Sequence, residues 1–156
     1  MTRSSSVQLD PDEQDYLLCE ISAFLARLGD PEARSCYDPL LAAVEAAKIP
    51  DEQLDLLGRV LELSLGSGRL RKLYGPHAEM SANRLFRRTS RGRAIQRTCD
   101  EANLALTGLR GRAVRSIALA PRSPGAFTLS VETDRCRVRL VIDAAGVRCQ
   151  GIEMDL

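Results

Sequence analysis

The sequence predicts an α+β fold, helical up to about residue 109 and closing in a four-stranded antiparallel β-meander over 113–154. Three observations carry that prediction. Apolar residues recur at steps of three and four through the first two thirds of the chain, the period falls to two from Ala113, and turn residues then return at regular intervals. At 156 residues the chain has the size of one ordinary domain, long enough to bury a core without disulfides or metals. One domain over 10–156 is therefore expected, behind a loose tail at 1–9 that has no apolar h-region and so reads as neither signal peptide nor anchor.

The first helix opens at Asp10-Pro11-Asp12-Glu13, with proline near N1 and acids in the first turn, and carries Leu17, Leu18, Ile21, Phe24, Leu25 and Leu28 until Gly29-Asp30-Pro31 stops it. A shorter helix is expected over 39–48, through Leu40, Leu41 and Val44, ending before Ile49-Pro50. A third is expected to open with Asp51 as N-cap and to repeat Leu54, Leu57, Leu61 and Leu65 before Gly66-Ser67-Gly68 breaks it. Leu70–Tyr74 reads as a helical continuation, and Gly75-Pro76 leads into a helix with Met80, Leu85 and Phe86. After an interruption at Thr89-Ser90-Arg91-Gly92, a last helix shows Ile95, Cys99, Ala102, Leu106 and Leu109 as a core-facing stripe, and Gly108 and Gly111 end it.

Strands follow over about 113–120, 126–133, 136–142 and 147–154. A tight turn at Asp134-Arg135 sets Phe127 opposite Ile142, Leu129 opposite Leu140 and Val131 opposite Val138, so that every apolar pair shares one buried face. A turn at Ala144-Ala145 sets Cys149 beside Leu140, and a bulge at Gly151 accounts for the slip that precedes Ile152 and Met154. The opposite face, with Thr128, Ser130, Glu132, Arg137, Arg139, Arg148 and Gln150, reads as a polar surface, and the last helix is expected across the apolar one.

Composition excludes several functions. No apolar run approaches the roughly 18 residues of a membrane span, which predicts a soluble protein without a membrane partner. The cysteines at 19, 36, 99, 136 and 149 are odd in number and form no close pair, as suits reduced thiols of a cytoplasmic protein rather than a disulfide framework or a zinc site. No metal and no cofactor are expected. The basic residues are nearly all Arg, which suits a bacterial-like base composition more than any chemistry. A nucleophile needs a base within reach, and His77 is the one histidine. Cys99 could be its partner, but it lies on an apolar stripe and reads as core. Gly66-Ser67-Gly68 lacks the Lys-Ser/Thr of a P-loop and follows no strand.

The net charge of +1 hides a strong dipole. Residues 1–68 hold 5 basic and 13 acidic residues (net −8), residues 69–112 hold 11 and 3 (net +8), and residues 113–156 hold 6 and 5 (net +1). Within the basic block Arg84, Arg87, Arg88, Arg91, Arg93 and Arg97 gather around the helix break, the one feature that stands above background. Such a cluster suits an acidic protein surface, the chain's own acidic N-terminal helices within the fold or across a homodimer, or a face that is simply solvated. It also suits phosphates of a nucleic acid, although the polar sheet face has no aromatic residue on which bases stack. The leading expectation is a non-catalytic interaction or accessory protein working through this charged helical surface. A nucleic-acid-binding regulator using the same arginines comes second, and a small enzyme using His77 or a cysteine third.

Overall fold

A computed structural model describes residues 6–154. The chain forms two compact units, one up to Gly92 and one from Arg93. The first contains β1 (Ser6–Gln8), α1 (Pro11–Leu25), α2 (Pro31–Ser35), α3 (Asp38–Glu45), β2 (Lys48–Pro50), α4 (Leu54–Gly66), α5 (Arg69–Tyr74) and α6 (Pro76–Phe86). Then come α7 (Ser90–Thr107) and the strands β3 (Val114–Ser123), β4 (Ala126–Thr133), β5 (Cys136–Asp143) and β6 (Gly146–Met154), in that order across one antiparallel sheet. The α+β class is the one predicted. Among the described residues no helix is long and apolar enough to cross a membrane.

Helix α1 begins where its cap chemistry requires. The Asp10 carboxylate accepts from the Glu13 amide at 2.8 Å, the Glu13 carboxylate accepts from the Asp10 amide at 3.0 Å, and Pro11 gives up no needed donor at N1. Leu17 and Ile21 from α1, Leu40 and Val44 from α3, and Leu57 and Leu61 from α4 are fully buried in one core, so the helical stripes point where the periodicity placed them.

Three expectations need correction here. Residues 6–9 are not a loose tail: β1 pairs antiparallel with β2, Val7 opposite Ile49, and Val7 and Leu9 are buried. Residues 1–5 of that tail lie outside the described residues. The second helix ends at Glu45 rather than Lys48, because Ala47 reverses the chain at φ 55° and sends Lys48–Pro50 into the ladder. Asp51 caps no helix; Asp51–Gln53 form a 3-10 turn and α4 begins at Leu54.

In the second unit the predicted register holds, with Phe127 opposite Ile142, Leu129 opposite Leu140 and Val131 opposite Val138. The irregularity falls at Gln150, between the pairs Arg139–Gly151 and Leu140–Cys149, one residue before the expected place. It returns Ile152 to a position opposite Val138. Ala102 and Leu106 of α7, with Leu109 just beyond its end, pack on Leu129, Val138, Leu140 and Val147. The β5–β6 turn is tied to α7 by the Val147 amide, which donates to Thr98 Oγ1 at 3.2 Å. A Cβ at Gly146, whose φ is 119°, would lie 2.2 Å from that oxygen, so only glycine fits.

Burial in this unit departs from expectation at three places. Cys99 is half-buried, because Ala102 and Leu106 supply the helix's apolar contacts to the sheet. Phe127 is 43% exposed and Ile142 half-buried, since one helix about 10 Å across covers only about two strands spaced ~4.8 Å apart. On the face expected to be polar, Val141 is only 2% exposed, between Thr128 and Arg148 in the ladder.

Candidate functional site

The turn from α6 into α7 takes its shape from small residues. Thr89 is fully buried there; its hydroxyl donates to the Phe86 carbonyl at 2.7 Å and accepts from the Gly92 amide at 3.1 Å, which caps α7. A Cβ at Gly92 would lie 2.0 Å from the Phe86 carbonyl oxygen, and one at Gly58 of α4 would lie 3.0 Å from Thr89 Cβ. Backbone therefore meets backbone at this corner. The Asp55 carboxylate accepts from the Ser90 amide at 3.2 Å and sets a negative charge at the positive end of α7.

The six arginines separate into two kinds. Arg84 Nη2 lies 2.6 Å from Glu13 of α1, and Arg91 Nε lies 3.0 Å from Glu62 of α4, so both serve the docking of acidic N-terminal helices within the fold. Arg87 and Arg88, at the end of α6, and Arg93 and Arg97, on α7, are exposed and form no ion pair among the described residues.

Two carboxylates on α1 are the most buried acids of the first unit, Glu13 at 3% exposure and Glu20 at 2%. They lie seven residues apart, two helical turns, and so share a face. Burying a carboxylate is costly unless it is fully partnered, and both are. Glu13 accepts from Ser81 and Arg84 besides its capping bond, and Tyr16 donates to Ser81 at 3.3 Å. Glu20 accepts from Ser64 at 2.6 Å, from Tyr74 at 3.1 Å, and from Nε and Nη2 of Arg69 at 3.3 and 3.1 Å in a fork. Burial works to raise the Glu20 pKa, but the bonds from Arg69, Ser64 and Tyr74 outweigh it and hold the group below its ordinary value. Burial pushes the Tyr16 and Tyr74 hydroxyls up to about 12, and the neighbouring Glu20 adds to the shift at Tyr74.

Between α1 and α6 lies an open cavity of about 410 Å³, lined by Asp12, Asp15, Tyr16, Cys19, Tyr74 and His77 among others. The thiol that shares a cavity with His77 is thus Cys19, which sequence reasoning did not single out. Cys99 sits in the second unit. The signal for the buried acids was present in the sequence: Glu20 stands inside the stripe of Leu17 and Ile21, where an acid has to be partnered. Comparison with models of known protein families, with curated proteins and with solved structures finds no match.

Proposed function

We propose that the protein is a non-catalytic interaction or accessory protein that engages an acidic protein surface through the arginines at the α6–α7 corner. One observation carries this reading: Arg87, Arg88, Arg93 and Arg97 are exposed and form no ion pair among the described residues, whereas Arg84 and Arg91 in the same stretch are held by Glu13 and Glu62. The two engaged arginines belong to the fold, and the other four remain for a partner. Guanidinium groups suit this work because they are always charged and present a planar fork to carboxylates. A cytoplasmic location and reduced thiols accord with this reading; all five cysteines are free.

The test is affinity capture of the tagged protein from its own cell extract, with and without nuclease, beside a variant carrying Arg87→Glu, Arg88→Glu, Arg93→Glu and Arg97→Glu. The expected result is a salt-sensitive partner lost in the variant while circular dichroism stays unchanged, because exposed charges add little to stability. An identical set of captured proteins from both forms overturns the reading. A nuclease-sensitive capture whose strength falls linearly with salt on logarithmic axes assigns the arginines to nucleic acid instead.

A further inference from the structure

We infer that the β3 flank of the C-terminal sheet is a docking surface for an acidic amphipathic helix of a partner protein. The surface belongs to the second unit and uses none of the six arginines around the α6–α7 corner, so it goes beyond the function proposed above.

The apolar face of this sheet is wider than its cover. Across it, Ile117 lies opposite Val131, Leu119 opposite Leu129 and Pro121 opposite Phe127, which continues onto β3 the rows that run through Val138, Leu140 and Ile142. Inward of β3 two of those rows are covered, with Val131, Val138 and Leu140 buried and α7 packed on the last two, while the row of Phe127 and Ile142 is partly exposed. On β3 none of the rows is covered. Ile117 is 66% exposed and Leu119 63%, and every residue of β3 is exposed. A helix is about 10 Å across and strands lie ~4.8 Å apart, so four strands take two helices side by side on one face. The space beside α7 therefore fits one more helix with an apolar stripe, and a contiguous apolar surface of this kind marks an interaction site.

Charge selects the occupant. From Ala102 to Val131 the chain has no Asp or Glu but carries Arg110, Arg112, Arg115 and Arg122. Arg115 and Arg122 stand at the two register irregularities that bracket the apolar stretch of β3. A second copy of this chain placed about a two-fold axis would bring these arginines toward their own equivalents with no acid on β3 itself, and Glu132 of β4, which lies near Arg115, is already held by Arg137. A helix with an apolar face and acidic flanks meets both the apolar rows and the arginines.

The probe is a labelled synthetic helix of about five turns with leucines at i, i+3, i+4 and i+7 and Glu on the remaining face, compared with a twin carrying Lys in place of Glu. Binding to the full chain is read by fluorescence anisotropy, and oligomeric state by sedimentation. The acidic peptide should bind at least about tenfold more tightly than the basic one. Ile117→Asp with Leu119→Asp should abolish binding without altering circular dichroism, both side chains being exposed. Arg115→Glu with Arg122→Glu should reverse the preference between peptides. Equal binding of both peptides, binding of neither, or indifference to the Ile117 and Leu119 changes overturns the inference. A dimer that dissociates in the Ile117 and Leu119 variant assigns the face to a second copy. Loss of peptide binding in the Arg87, Arg88, Arg93 and Arg97 variant with retention in the Ile117 and Leu119 variant moves docking to the helical corner, which overturns this inference and leaves the proposed function standing.

Discussion

The two units use similar apolar side chains in different ways. In the first, Leu17, Ile21, Leu40, Leu57 and Leu61 come from three helices that surround one another, and each is fully buried. In the second, Ile117, Leu119 and Phe127 share a sheet face with Val138 and Leu140, yet stay exposed because a single helix covers the face. Helices pack on all sides of a common centre, whereas a sheet has to be covered across its width. The fully buried residues of the first unit's core therefore contribute to stability, whereas the exposed ones on β3 contribute little to it.

Several measurements would break or sharpen this contrast. The largest effect is expected from truncation in the first unit: Leu57→Ala should cost about 3 to 5 kcal/mol, from lost transfer energy and the cavity left behind. All three tyrosines, at 16, 37 and 74, precede residue 93, so urea denaturation followed by tyrosine emission reports on this unit alone. A cost under about 1 kcal/mol would mean that the helices do not share a rigid core.

Next comes Glu20. Its folded pKa lies below its ordinary value, so the unfolded chain binds the proton more readily and stability rises with pH through that range. The contribution is complete above the unfolded carboxylate pKa of about 4.3 and is lost as pH falls through the folded value. Glu20→Gln should lower stability by about 2 kcal/mol near neutral pH, as hydrogen bonds to a charged acceptor are weakened. It should also flatten the acid limb of the stability curve. An acid limb unchanged in the variant would show that Glu20 does not carry it.

The smallest effect is expected on β3, where Leu119→Ala should change stability by less than about 0.5 kcal/mol, as is usual for surface substitutions. A larger loss, read by circular dichroism, would show the β3 flank to be part of the core and would erase the difference between the units.

Much of the fold was legible because its signals are local. Asp10, Pro11 and Glu13 announce the start of α1 through chemistry confined to four residues. The Asp134-Arg135 turn fixes the β4–β5 register, because a pairing slipped by one residue would put Val131 and Leu129 on the wrong face. The α7 stripe was legible for the same reason, as far as Ala102 and Leu106 are concerned.

By itself, then, the sequence determined the α+β class, the helical stripes, the order and register of the meander, and the clustering of arginines around one break. Only tertiary structure decided the rest. Val7 finds Ile49 across the intervening α1, α2 and α3, in strands too short to show a period. Arg84 and Arg91 are engaged because α1 and α4 bring Glu13 and Glu62 to them, while the other four arginines of the stretch form no ion pair among the described residues. Phe127 and Leu119 carry the alternation of buried residues yet stay exposed, because the width of the covering helix limits burial. Period and turn chemistry depend on neighbours along the chain, whereas pairing and burial depend on what the fold brings from elsewhere.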